Sequence, residues 1–106
     1  MANGRTDRQV RRLRYEVLLA LRVLYPAALQ AQQLMRSLLV LFPTLEFEQF
    51  KRDLHYLISK GYVERVIADT ESDGSLTPWR KRWFRLTAHG LEVAERSIRD
   101  PALDEE

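Results

Sequence analysis

Basic side chains gather in two short stretches of the 106-residue chain. Residues 5–14 hold five arginines against one acid, and residues 80–85 hold four basic residues and no acid. Residues 100–106 have the opposite character, with four acids and no base. The net charge of +2 says little by itself. The polarised distribution matters more, because clustered Lys and Arg side chains attract phosphate groups by charge and release counterions on binding.

Candidate residues for such contacts fall in three places. Arg8 and Arg12 share one face of a predicted first helix, where they can hold phosphates, meet a partner's acidic tail or simply solvate the helix start. Arg80, Lys81 and Arg82 form the second cluster. A third set lies on a predicted helix over residues 44–60, with Gln49, Arg52 and His55 directed outward and Lys51 on a flank. Arginine suits guanine and glutamine suits adenine, because each matches two groups on the base edge.

Other chemistry finds little support in the residue types. The chain has no cysteine, and His55 and His89 lack the spacing of a metal site. No nucleophile motif, phosphate-binding glycine loop or dinucleotide fingerprint is present. We therefore predict that the protein is not an enzyme and uses no metal or cofactor. The absence of a long apolar run and of a secretion signal predicts no membrane span and a cytoplasmic location.

Helical periodicity predicts two helices in the first 42 residues. The first runs from a cap at Asp7 to about Tyr25, and its core stripe contains Val10, Leu13, Val17, Leu21 and Leu24. A second stripe of Tyr15, Leu19 and Val23 lies roughly opposite, so this helix is either central to the fold or shared with a partner. The next helix spans Leu29 to Phe42, with Leu34, Leu38 and Leu41 at core spacing.

The remaining pattern predicts a helix, a hairpin and a final helix. Thr44 is the expected N-cap of the third helix, which ends at Gly61. Strands are expected at residues 62–68 and 79–86, with the turn-rich segment 69–78 between them. Thr87 caps a last helix to about Arg99. We therefore predict a flexible arm at residues 1–6, one domain at 7–99 and a disordered acidic tail at 100–106.

Two segments make the chain resemble a known family. They read Leu54-x-x-Leu57-x-x-x-Gly61-Tyr62-Val63-Glu64-Arg65 and Trp83-Phe84-Arg85-Leu86-Thr87-x-x-Gly90. Over residues 8–99 the chain resembles the winged helix-turn-helix domains of bacterial transcription regulators of the MarR-like and PadR-like kind. The resemblance implies a mainly α fold with a small antiparallel β-hairpin (α+β). It also implies that the helix at 44–60 reads the DNA major groove, that residues 68–80 form the wing, and that double-stranded DNA is the partner.

Two features keep alternatives open. Glu46 and Glu48 fall in the first turn of the reading helix, where carboxylates favour the helix dipole but repel phosphates. They agree with a second hypothesis, in which the same fold is an adaptor that binds protein instead of DNA. The second stripe of the first helix can contact another copy of the chain, in a homodimer formed through the first and last helices. Alternatively, the stripe can pack within the monomer. We expect the homodimer.

Overall fold

The structure is a computed structural model that describes residues 6–67, 77–96 and 100–103. These residues form four α-helices and a small three-stranded antiparallel sheet, an α+β arrangement. The elements in chain order are α1 (Asp7–Leu24), β1 (Leu29–Gln30), α2 (Ala31–Leu38), α3 (Phe47–Ser59), β2 (Val63–Val66), a 3₁₀ turn (Trp79–Lys81), β3 (Trp83–Leu86) and α4 (Ala88–Ala94). Within these ranges, no helix has the length and apolar character needed to cross a membrane.

The first two helices each begin with a glutamine three residues after the cap position. The Gln9 amide N–H donates to the Thr6 hydroxyl at 3.2 Å, and the Thr6 N–H donates to Gln9 Oε1 at 2.8 Å. At the start of α2, the Gln30 N–H donates to Gln33 Oε1 at 2.9 Å. These bonds satisfy backbone donors that a helix start leaves open. The expected cap at Asp7 is therefore wrong by one residue, since Thr6 holds that position.

The third helix starts later than its sequence suggests. Glu46 is the N-cap, with extended backbone, and its N–H donates to Gln49 Oε1 at 3.1 Å. The predicted N-cap at Thr44 is therefore wrong. At the other end the prediction holds, because Gly61 adopts φ +80°, a left-handed conformation that suits glycine.

The second helix is shorter than predicted at both ends. Leu29 and Gln30 pair with β3 as a short strand instead of opening the helix. The chain leaves α2 after Leu38, and Leu41, expected in the core, is 48 % exposed. The connections on both sides of α2 are thus longer than helical periodicity alone indicates.

The sheet has the order β1–β3–β2, with Val63 opposite Leu86 and Val66 opposite Trp83. The predicted hairpin between β2 and β3 is confirmed, although both strands are shorter than expected. Trp79 lies in the 3₁₀ turn and β3 begins at Trp83, so the predicted start of the second strand at residue 79 is wrong. Most of the predicted wing, residues 68–76, lies outside the described residues.

Helix α1 runs through the core, where Leu13, Val17, Leu18 and Leu21 are fully buried. Its second stripe is partly covered within the monomer. The Tyr15 hydroxyl donates to the carbonyl oxygen of Ala94 at 3.0 Å, which joins α1 to α4.

The C-terminal segment packs on the domain at least as far as residue 103. The Tyr62 hydroxyl donates to Asp100 Oδ2 at 2.5 Å, and Leu103 is only 3 % exposed. The prediction of a disordered tail from residue 100 is therefore wrong for 100–103. Thr87 caps α4, as expected, through a bond from the Gly90 N–H. Helix α4 ends at Ala94, and Arg96 has φ +62°, outside the helical region, so the predicted extension of the last helix to about Arg99 is wrong. Residues 1–5, 97–99 and 104–106 lie outside the described residues.

Candidate nucleic-acid interface

An aromatic contact between the first turns of α3 and the 3₁₀ turn organises the candidate site. The Trp79 ring meets the rings of Phe47 and Phe50 edge to face, with centroids 5.4 and 5.8 Å apart. On its other side the ring lies 5.6 Å from Phe84 of β3. Such edge-on pairs add to the free energy gained from apolar burial. The 3₁₀ turn is thereby held against α3.

Cationic side chains surround this aromatic contact. Lys51 Nζ lies 5.5 Å from the Trp79 ring centroid, and the His55 ring stacks on Trp79 at 6.0 Å. The Arg80 guanidinium lies 4.3 Å above the Phe47 ring. Each geometry allows a cation–π attraction when the group is charged. The contacts bring together residues about 30 positions apart in sequence.

We use the term basic face for five predicted residues: Lys51, Arg52, His55, Arg80 and Lys81. Arg52 and His55 are exposed on the outer side of α3, and Lys51 is half-buried on the flank that faces Trp79. Arg80 and Lys81 are exposed on the 3₁₀ turn. Four of the five side chains are thus exposed, and Lys51 lies on the flank of α3, as predicted.

Gln49 does not belong to this face. Its side chain was expected on the outer side of α3, but the residue is only 5 % exposed, and its Oε1 accepts the Glu46 N–H. The orientation predicted for Gln49 is therefore wrong, because capping the helix start draws the amide inward.

Arg82 also differs from the two residues before it. It is half-buried, and its Nε donates to the carbonyl oxygen of Thr77 at 3.0 Å. Arg82 therefore braces the chain where the described part of the hairpin loop ends, and we leave it outside the basic face.

The two predicted residues of α1 lie at a second position. The Arg12 guanidinium is 5.5 Å from the centroid of Phe42, in the turn after α2. Arg8 is exposed one turn earlier on the same helix. Arg8 and Arg12 therefore lie on α1, and Arg12 contacts the turn after α2.

A buried ion pair, which the sequence analysis did not identify, fixes the orientation of α3. Arg14 Nε lies 3.2 Å from Asp53 Oδ1, and Asp53 is 1 % exposed. The same guanidinium lies 3.8 Å above the Tyr56 ring. These contacts bind the inner flank of α3 to α1, so the opposite flank carries Lys51 toward Trp79. An acid at a core position of the helical pattern was the available signal.

The first turn of α3 places carboxylates beside the basic face. Glu46 and Glu48 are both exposed. Carboxylates at a helix N-terminus stabilise the helix through its dipole, but they weaken the attraction of nearby cations for phosphate. The basic face is thus bordered by negative charge at one end.

A groove of about 270 Å³ opens between α2, the first turn of α3 and the 3₁₀ turn. Its lining combines apolar and cationic side chains: Gln32, Met35, Arg36, Leu39, Phe47 and Arg80. Arg36 was missed because it stands alone in the sequence. Its nearness to Arg80 arises only from folding.

Among the described residues, no group of three or more His, Asp or Glu side chains is arranged to hold a metal ion. Comparisons of the chain with protein-family models, with curated proteins and with solved structures found no match.

Proposed function

We propose that this chain is a winged helix-turn-helix domain that binds double-stranded DNA as a cytoplasmic transcription regulator. The observation that carries the proposal is the meeting of two cationic segments on one aromatic contact. Lys51 and His55 of α3 and Arg80 of the 3₁₀ turn all lie within 6.0 Å of the Trp79 or Phe47 ring centroids. A reading helix and the base of a wing must converge in this manner to contact one duplex.

In this proposal α3 enters the major groove with its outer side toward the bases. Arg52 is the residue best suited to a base edge, because it is exposed and its guanidinium can bind guanine with two hydrogen bonds. Arg80 and Lys81 lie beside the helix and bind phosphates, which sets the orientation of the helix without selecting sequence. Arg8 and Arg12 are proposed to add a further phosphate contact from α1.

The acids of α3 limit the strength of this binding. Glu46 and Glu48 lie at the N-terminal end of the helix, the end that contacts base edges in helix-turn-helix proteins. A glutamate there can accept a hydrogen bond from cytosine N4, but it does not attract phosphate. We therefore expect modest sequence-independent affinity with a clear dependence on salt.

The test is binding of the full chain to mixed-sequence duplex DNA over a salt series. The logarithm of the binding constant should fall linearly with the logarithm of salt concentration. Arg80→Ala should flatten that slope by about 0.9 if Arg80 meets one phosphate.

Arg85→Ala is the matched control for charge. Arg85 lies on β3, and its Nε donates to Glu64 Oε2 at 2.7 Å, so it is already engaged within the sheet. Its removal should leave the slope unchanged. Absence of binding at low salt would reject the DNA proposal.

A protein-binding role is the second candidate, and exposed apolar residues support it. Leu39, Val40 and Leu41 follow α2 in succession and are 37, 80 and 48 % exposed. Runs of exposed apolar side chains are common at protein interfaces. If this run binds protein, Val40→Gln should reduce the self-association or precipitation of the isolated protein. Its DNA affinity should stay unchanged.

We also propose a homodimer, in which the exposed end of α1 contacts a second copy of the chain. Val23 and Leu24 are 80 and 44 % exposed there, whereas Tyr15, from the same predicted interface, bonds to Ala94 within the monomer. Sedimentation of Val23→Gln against the unchanged protein tests the pairing. A monomer at high concentration for the unchanged protein would exclude it.

A further inference from the structure

The groove beside the basic face is lined by both apolar and cationic side chains. Met35, Leu39 and Phe47 supply the apolar lining, which we call the floor, and Arg36 and Arg80 supply the positive charge. Phosphate contacts alone need no apolar floor, because phosphates are bound by charge and polar groups. The floor therefore calls for a ligand that presents apolar atoms between negative charges.

We propose that this groove receives the 5-methyl groups of thymine, an inference that rests on the proposed DNA binding. In B-DNA the thymine methyl is the apolar feature of the major groove, and it lies between the two phosphate backbones. A floor of Met and Phe flanked by two arginines matches that arrangement in both polarity and charge.

Phe47 is the rigid part of this site. It is the first residue of α3, and its ring is held edge to face by Trp79 at 5.4 Å. The Arg80 guanidinium covers the ring at 4.3 Å, so the charge that meets a phosphate and the apolar surface that meets a methyl are fixed together. Reading helices of this kind contact base edges with their N-terminal residues.

Met35 is the adaptable part. Its unbranched side chain is half-buried against the core and adjusts to irregular apolar shapes. Glu48 follows Phe47 in sequence, and its exposed carboxylate can accept a hydrogen bond from cytosine N4. The first turn of α3 thus offers contacts for both pyrimidines. An acidic peptide, the other ligand that suits two arginines, would have no use for the carboxylate.

The experiment selects binding sites from randomised duplex DNA and then makes the selected duplexes again with uracil in place of thymine. Each methyl removed from an apolar contact should weaken binding about fourfold, as expected for one buried carbon. Met35→Gln and Phe47→Leu should each reduce the ratio of affinities for thymine and uracil duplexes. Val40→Gln, which changes an exposed apolar residue outside the groove lining, should keep the ratio.

Equal affinity for thymine and uracil duplexes, with the salt dependence intact, would overturn this inference and leave the DNA proposal standing. A full methyl effect in both groove variants would also overturn it, because the methyl would then be read elsewhere. Absence of any DNA binding at low salt would reject both. The variants must keep the circular dichroism and unfolding midpoint of folded protein, and having two of them protects the test if one fails to fold.

Discussion

The Arg14 guanidinium and the Asp53 carboxylate form an ion pair between α1 and α3, with Nε and Oδ1 3.2 Å apart. Asp53 is almost wholly buried, while the Arg14 side chain is one-fifth exposed. Removing one member of such a pair leaves the other desolvated without its countercharge. The pair therefore governs how α3 is presented as well as how firmly it is held.

Replacing Asp53 tests this role. Asp53→Asn should lower the free energy of unfolding by about 2–3 kcal/mol, because it removes a charged hydrogen bond and leaves the partly buried Arg14 cation without its partner. Urea unfolding measures the change. Glu95→Gln is the control, since Glu95 pairs with Arg22 at 3.6 Å with both side chains about half exposed, and it should cost less than about 1 kcal/mol. Equal costs for the two variants would contradict the assignment of the buried pair.

The acid beside the basic face should act against DNA binding. Glu48→Gln removes one negative charge at an exposed position and should raise affinity for mixed-sequence duplex about threefold at low salt, less at high salt. It should also cost about 0.5 kcal/mol of stability through the helix dipole. Glu92→Gln makes the same charge change on α4 and serves as control. An unchanged affinity for Glu48→Gln would indicate that the DNA does not approach the first turn of α3.

Two glycines should respond very differently to alanine. At Gly90 an added Cβ would lie 1.9 Å from the Tyr62 carbonyl oxygen, so α4 would have to move away from the segment that follows α3. Gly90→Ala should cost at least about 2 kcal/mol by thermal unfolding. Gly61→Ala meets nothing within 4 Å, but its φ of +80° strains a side chain, so about 1 kcal/mol is expected. A smaller effect at Gly90 than at Gly61 would contradict the close packing of α4.

The Tyr62–Asp100 contact should make stability depend on pH at both extremes. Burial and the bond to Asp100 raise the pKa of Tyr62 from 10.0 to about 12. Burial opposes ionisation of Asp100, but the hydrogen bond from Tyr62, the Ala102 N–H and nearby Lys60 outweigh it and lower the pKa of Asp100.

The signs follow from these directions. The Tyr62 contribution is complete below pH 10 and is lost as the pH rises toward 12, while the Asp100 contribution is complete above its ordinary pKa and is lost in acid below it. Denaturant unfolding from pH 3 to 12 measures both limbs. Tyr62→Phe should flatten both, and Asp100→Asn should flatten the acid limb. If Asp100→Asn loses stability in acid as strongly as the wild type, the acid dependence belongs to other carboxylates.

Sequence periodicity predicted much of the fold, because the periodic pattern arises mainly from the core residues. Leu54 and Leu57 are fully buried, and Gly61 and Thr87 end and begin helices as expected. The first residues of the helices were harder to predict from the sequence. At the starts of α1, α2 and α3, a glutamine three residues after the cap accepts the N–H of the cap residue, and at α3 this bond draws the Gln49 side chain inward.

Other parts of the structure depend on contacts between distant segments. β1 has only two residues, too few for an alternating pattern, and it exists because β3 pairs with it. The sequence around Trp79 predicts a strand, but Trp79 lies in a 3₁₀ turn because its aromatic contacts with α3 stabilise the turn. The exposure of Arg52 and Arg80 was predictable, whereas the approach of Arg36 to Arg80 required the fold.

The short strand β1 has a consequence for the evolution of the hairpin loop. The Ala31 N–H donates to the Arg82 carbonyl oxygen at 2.9 Å, and the Gln30 side chain donates to the Lys81 carbonyl oxygen at 3.2 Å. The 3₁₀ turn is therefore anchored to the start of α2 as well as to its own hairpin. Since lengthening a loop between fixed ends costs little entropy, residues 68–76 can gain or lose several positions while Arg80 keeps its place. Loop length and the geometry of the basic face can vary independently.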